Sequence, residues 1–481
     1  MTITTRVIHS LKWLTFTKLL SQLLRWTVTF IVIRLLMPED YGIYAMAEVV
    51  MYFFALFSGA GLASALVQVR DFNKNQVRQI FGLLIVINLS LTLIVFLLAP
   101  SIADFYREER IIPVLYALLI GFLTVTIETL PTAMLERKMR FKALSLIELA
   151  AATISAIVTL VLALYGYGVW SLVFGHLSEL VIRAGLKFAA HPVLLLPQFR
   201  FGESTHLITF GGIKTLTFMA WFFLVSIDTI IGGRLWDAKT LGIYAVALQL
   251  SYIPLNKLVP LVKKVAFPAY SKINQSEGDM APYIMKANSL ILIMTFPVFF
   301  GFSATASSLV PLLMGEKWLA VILPASLIPL ILPLRASQEL MDPAFEASGR
   351  PLDALKNWLI VLSILAPMLY IGALHGGIIG MCLAWVIGIP ISYIITSWRA
   401  IKYLHLPAIP YMGAVFRPLL AATVMFAAIH LLRYLIEGSV PLILLLALEI
   451  LLGAAVFLAM AWLVCRQELF QLLELGKRLK K

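Results

Sequence analysis

Apolar runs separated by short polar connections fill the chain from end to end. Runs long enough to cross a hydrocarbon layer, about 20 residues each, fall near 14–36, 42–66, 79–99, 111–134, 144–165, 168–189, 207–234, 241–262, 284–308, 319–341, 355–373, 377–398, 411–436 and 440–464. The pattern predicts an all-α integral membrane protein of about fourteen transmembrane helices. Most connections are too short to hold a folded domain; the longest, near 190–206 and 263–283, contain about twenty residues. The first run exceeds the length of a signal-peptide core and lacks a convincing cleavage site, so it reads as a retained span.

The pattern repeats. Arg34 to Ala47 (RLLMPEDYGIYAMA) recurs as Arg234 to Ala247 (RLWDAKTLGIYAVA), with seven of fourteen positions identical at an offset of 200. Two weaker echoes follow in order: Ala99-Pro100 opens a loop as Val310-Pro311 does, and Gly166-Tyr167-Gly168 opens a span as Gly376-Gly377 does. Collinear echoes indicate duplication. The copies lie six spans apart, an even number, so both enter the membrane in the same direction and are parallel repeats about an axis along the membrane normal. The expected architecture is an N-terminal six-helix half (1–200), a second half (201–405) and two further helices with a basic tail (406–481), the halves flanking a central cavity.

Composition agrees: 61% of the 481 residues are hydrophobic and 13% charged, too apolar for an aqueous core. The net charge of +13 does not indicate nucleic acid, because the basic residues gather in alternate connections. Setting aside Lys18, Arg25, Lys214, Lys257, Arg335 and Arg417 within spans, only Arg34, Arg107, Arg110, Arg234, Lys239, Lys317 and Arg433 are assigned to the other side. This asymmetry predicts that both termini are cytoplasmic. Cys382 and Cys465 lie in apolar runs without metal-ligand spacing. No cluster predicts a metal, no phosphate-binding glycine loop occurs, and no cofactor or covalent chemistry is expected.

Charges inside spans are costly and mark cavities or partners. Lys18, Gln22, Arg25 and Thr29 fall on one face of the first span, a cationic wall for an anionic substrate. Snorkelling to the interface accounts easily for Lys18 and poorly for Arg25. Lys214 and Asp228 share a face of the seventh span about 21 Å apart. Asp228 is a candidate for charge balance, proton coupling or a structural ion pair, and Lys257 in the eighth span lies near a cytoplasmic end. Glu179 with Arg183, and Arg335 with Glu339, read as self-neutralised i, i+4 pairs. Glu48, Glu128, Glu148 and Glu449 have no local partner, and His176 and His430 read as packed helix-face histidines. Prolines concentrated in the second half, in spans 8 and 10 above all, predict bends.

Residues Leu35 to Ala45 (LLMPEDYGIYA), Gly166 to Leu172 (GYGVWSL) and Leu309 to Leu319 (LVPLLMGEKWL) together resemble the bacterial polysaccharide-export flippases of the multidrug/oligosaccharidyl-lipid/polysaccharide exporter superfamily, especially the O-antigen and exopolysaccharide repeat-unit flippases. The resemblance implies a protein of the bacterial inner membrane, not an enzyme. It implies movement of an undecaprenyl-diphosphate-linked oligosaccharide to the periplasmic leaflet by alternating access, alongside a polysaccharide polymerase and chain-length machinery. It also implies a cavity lined by spans 1, 2, 7 and 8, which places Lys18, Arg25, Lys214 and Lys257 as substrate-binding cations and Glu48 and Asp228 as coupling or balancing acids. The alternatives are a multidrug or cation exporter of the same superfamily, disfavoured by the cationic stripe, and a membrane polymerase or ligase, disfavoured by short outer loops.

Overall fold

The computed structural model describes residues 26–59, 73–193, 195–200, 219, 222–275, 278–466 and 468–469. The helices follow the predicted spans in order. They are α1 (Trp26–Leu35), α2 (Pro38–Ala55), α3 (Lys74–Tyr106), α4 (Ile111–Arg137), α5 (Phe141–Leu164), α6 (Val169–Ala190), α7 (222–235), α8 (Ala238–Gln275), α9 (Ala281–Met314) and α10 (Glu316–Ala347). The continuous stretch Pro351–Tyr403 holds α11 (351–376) and α12 (378–403), which meet at the non-helical Gly377, and α13 (Ala408–Ile436) and α14 (Leu442–Val464) follow.

Among the described residues nine helices are long and apolar enough to cross a membrane, counting Pro351–Tyr403 as one. The protein is a multi-pass membrane protein, and the order of its helices is consistent with fourteen spans. Another helix of sufficient length, α2, is more polar than the nine, with Glu39, Asp40 and Glu48.

The helix ends follow local chemistry. Asn73 and Gln76 form a reciprocal capping box at the start of α3, each side chain accepting the other's backbone N–H at 2.7 and 3.0 Å. Pro38 opens α2, where it lacks only a hydrogen that would go unused. Asp237 Oδ1 accepts the Thr240 N–H at 2.9 Å at the start of α8.

The duplication is visible in these ends. The helices α2 and α8 begin at residues 38 and 238, the offset of the sequence repeat. Gly168 before α6 (φ 55°, ψ −132°) and Gly377 before α12 (φ 55°, ψ −140°) adopt the same glycine conformation. The third echo needs correction: Pro100 and Pro311 do not open loops but lie inside α3 and α9. The helices run past the apolar segments because their ends project beyond the hydrocarbon. At 33 residues α3 is about 50 Å long.

The chain divides into two compact units, residues 1–242 and 243–481. In the first, α2, α3, α4 and α6 share a core with Ala238 and Leu241, around Met46, Ala103, Ile111 and Leu177. Small residues permit close helix approach: Ser155 of α5 donates to the Gly175 carbonyl of α6 at 2.8 Å. The repeated segments also meet here. A Cβ on Gly42 would lie 1.8 Å from the Ala238 carbonyl oxygen, and one on Gly242 would lie 1.8 Å from that of Pro38. The contact is reciprocal at the repeat offset, as expected where two copies cross about a local two-fold.

In the second unit α9 is central and α14 peripheral, with 61% and 22% of their apolar stretches buried. Span 10, where a bend is expected, is not one regular α-helix: α10 opens with a 3-10 stretch (Glu316–Val321) and a second (Ile328–Ile331) interrupts it. A buried polar chain ties α9, α10, α12 and α13 together. Ser337 donates to Asn288 at 2.6 Å and lies 2.9 Å from the Tyr393 hydroxyl, which is 3.3 Å from that of Tyr411. Arg433, assigned from sequence to an outer connection, is instead buried within α13. It donates to Ser308 Oγ at 2.6 Å and pairs with the fully buried Glu449 at 3.7 Å.

Gly377 turns α11 back on α12, and Gly372 and Gly380 cross backbone to backbone. Nothing lies within 4 Å of a Cβ built at Gly377, so a side chain there acts only through the positive φ. Gly377→Ala is expected to cost about 1–3 kcal/mol. It should lower the melting temperature of the purified protein in detergent by several degrees; an unchanged melting curve would contradict the assigned turn.

Candidate functional site

Four helices of the first unit line an open cavity of about 550 Å³. Each lining face follows from helical periodicity. Tyr44, Glu48, Tyr52 and Ala55 come from α2; Leu118, Phe122 and Val125 from α4; His176, Leu180 and Arg183 from α6; and Val225 and Ser226 from α7. The walls are mostly apolar and aromatic with a few polar groups, the usual composition of a ligand site.

One corner opens onto an ion cluster shared by α4, α5 and α6. Arg183 Nε donates to Glu128 at 3.0 Å, and its Nη1 lies 3.7 Å from Glu179 and 4.0 Å from Glu148. Lys187, one turn further along α6, is 3.2 Å from Glu148 and 3.4 Å from Glu128. Lys187 is almost fully buried, Glu128, Glu179 and Arg183 largely so, and Glu148 is half exposed. Three carboxylates thus face two fixed cations, and Arg183 presents its guanidinium both to the cluster and to the cavity.

The local reading of these charges was incomplete. Glu179 and Arg183 do lie together, but the nearest partner of Arg183 is Glu128, fifty-five residues away. Glu128 and Glu148, solitary along the chain, are neutralised from α6. His176, read as packed, lines the cavity. The second unit carries a counterpart: Glu339, offset by 211 from Glu128, is 3.3 Å from Lys263 of α8 and 4.0 Å from Arg335. Arg335 is itself buried between the rings of Tyr252 and Trp385. The repeats keep the acid but take its cations from different helices.

Of the residues singled out in the sequence, Glu48 opens onto the cavity. Asp228 is buried on α7, its Oδ1 accepting the Thr229 N–H at 2.7 Å. It lies two residues, about 200° of helix turn, beyond the cavity-lining Ser226. Lys257 is exposed on α8. Lys18, Arg25 and Lys214 lie outside the described residues. Among the described residues no group of His, Cys, Asp and Glu is arranged to hold a metal ion.

Comparison with known proteins assigns the family. Over 98% of its length the chain is 24% identical to the succinoglycan biosynthesis transport protein ExoT of Rhizobium meliloti strain 1021, covering 96% of that protein. It is 23% identical to the lipopolysaccharide biosynthesis protein WzxC of Escherichia coli strain K12, over 80% of this chain and 77% of that one. Its fold matches the lipid II flippase MurJ in an inward closed conformation with a TM-score of 0.76 at 14% identity, covering 94% of this chain and 99% of that structure. The profile of the polysaccharide biosynthesis protein family matches residues 31–323, more than half of the chain, which therefore belongs to that family.

Proposed function

We propose that the protein is an inner-membrane flippase that carries lipid-diphosphate-linked oligosaccharide repeat units from the cytoplasmic to the periplasmic leaflet for polysaccharide assembly. The observation that carries this reading is the cavity between α2, α4, α6 and α7. It is roomy enough for sugar rings, is walled by Tyr44, Tyr52 and Phe122, and holds charged groups at membrane depth. Aromatic faces suit the C–H surfaces of sugars, and a charged interior in a low-dielectric surround suits a polar head moving past lipid. The family membership and the names of the relatives support the same task and do not favour a multidrug exporter.

In this reading no bond is made or broken. The head group enters from the cytoplasmic side while the polyprenyl tail stays in the bilayer, and the repeats then rock to expose the cavity to the other side. Lys18, Arg25 and Lys214 are the proposed cations for the diphosphate, joined by Lys257, and Glu48 and Asp228 the proposed charge-balancing or coupling acids. The positive-inside asymmetry supports a topology with both termini in the cytoplasm. A polysaccharide polymerase with its chain-length machinery would act on the exported product.

In a deletion strain, lipid-linked repeat units are expected to accumulate on the cytoplasmic face, as measured by accessibility to an impermeant sugar-oxidising probe in intact cells and in inverted vesicles. Accumulation on the periplasmic face would instead make the protein a polymerase or ligase.

A further inference from the structure

A second cavity, of about 380 Å³, lies in the same unit where three connections meet, all assigned by charge asymmetry to the outer side: those around residues 37–39, 106–110 and 234–239. Its lining includes four cations and three carboxylates, and most of the acids are already committed. Glu108 is bound bidentately by Arg110, at 2.7 Å for both contacts, and that guanidinium holds its carboxyl below the usual carboxylate range. Asp237 caps α8 and is likewise held low, by Thr240.

Of the remaining cations, Arg234 is positioned by neutral groups. Arg234 donates to the Phe105 carbonyl at 2.7 Å and lies 5.5 Å over the Phe105 ring, which orients the guanidinium without cancelling its charge. Arg107 caps the end of α3 in the left-handed conformation (φ 56°, ψ 39°). Among the described residues Arg107, Arg234 and Lys239 form no ion pair within 4 Å; they share the cavity with Glu39 and with Asp237, whose carboxyl Lys239 also helps to hold low, and the lining keeps one more cation than acid. Trp236 and Tyr106 add rings to the wall.

We propose that this cavity is an extracytoplasmic binding site for acidic saccharides, its arginines and lysine taking a sugar carboxylate and its rings taking the C–H face of the same sugar. The proposal rests on the flippase reading and on the outward assignment of these connections, and it makes the site a receiving station for uronate-bearing glycan after passage. The volume lies within the range of small-ligand sites. Charge-assisted contacts to a carboxylate explain why the site would discriminate against a neutral glycan of the same length.

The test is calorimetric titration of the full chain in nanodiscs of zwitterionic lipid with trigalacturonate and, in parallel, with maltotriose. Trigalacturonate is expected to bind at least ten-fold more tightly, with affinity falling as salt is raised. Arg107→Ala and Lys239→Ala, both at exposed positions, should each weaken it several-fold while retaining the wild-type melting temperature. Equal affinity for the two trisaccharides, or trigalacturonate binding indifferent to both substitutions, would overturn the proposal. So would loss of that binding in nanodiscs rich in phosphatidylglycerol, which would identify the occupant as a lipid headgroup. Wild-type protein that transports a lipid-linked oligosaccharide but fails to discriminate would sink this site alone; protein that does neither would sink the flippase reading as well.

Discussion

Replacing Gly42 by valine is expected to abolish polysaccharide export and to lower the stability of the purified protein. The first side-chain carbon alone would sit 1.8 Å from the Ala238 carbonyl oxygen, about half a normal contact distance, and the obstacle is backbone rather than a movable side chain. Overpacking in a tight interior costs about 1–3 kcal/mol; a clash between two helix backbones belongs at or beyond the upper end. Gly242→Val meets the Pro38 carbonyl in the same way and should match it. Alanine at either position already introduces the clashing atom, so Gly42→Ala should show a smaller loss in the same direction. Membrane-inserted Gly42→Val with wild-type export and melting temperature would contradict the reciprocal crossing.

Arg183→Leu is expected to be the most damaging single change in the ion cluster. It removes the nearest partner of Glu128 and leaves three carboxylates facing Lys187 alone. Breaking a buried pair by removing one partner typically costs about 3–5 kcal/mol, whereas replacing both partners with apolar groups is close to neutral. Arg183→Leu combined with Glu128→Leu should therefore recover most of the melting temperature lost in the single variant. Export should not recover, because Arg183 also lines the cavity. A double variant no more stable than the single one would show that the cluster is not held by this pair, and full recovery of export would remove Arg183 from the transport path.

The helices were legible in the sequence because the signal is one-dimensional. Twenty apolar residues in a row can meet the demands of lipid in only one way, and Pro38, Asn73 and Asp237 mark helix starts through chemistry within four residues. The duplication was legible for the same reason, since Gly42 and Gly242 are conspicuous inside an ungapped repeat. Their mutual contact was not, because nothing along the chain says that two copies of a segment touch. Pro100 shows the limit of punctuation by proline: late in a long helix it is tolerated where the chain leaves the hydrocarbon.

Charges were the harder part. The i, i+4 rule found Glu179 beside Arg183, but the stronger partner, Glu128, comes from another helix, and pairings of that separation leave no periodic trace. Arg433 looked like a loop cation because it stands near the end of an apolar run; its buried partner Glu449 lies on the next helix. His176 carries no signal that separates a packed histidine from one lining a cavity. Glu48 stood out because an isolated carboxylate in a span needs a reason to be there; it lines the cavity, and its balancing or coupling role is a proposal.

Transbilayer movement itself can be measured in proteoliposomes. A fluorescent oligosaccharide linked through a diphosphate to a polyprenyl tail, placed in both leaflets, is quenched from outside by an impermeant reductant. Vesicles containing the folded protein should lose fluorescence well beyond the half expected from the outer leaflet, as inner molecules move outward, while Arg25→Ala protein should leave the inner half protected. Protection of the inner half by correctly folded wild-type protein, under every imposed ion gradient, would contradict transport.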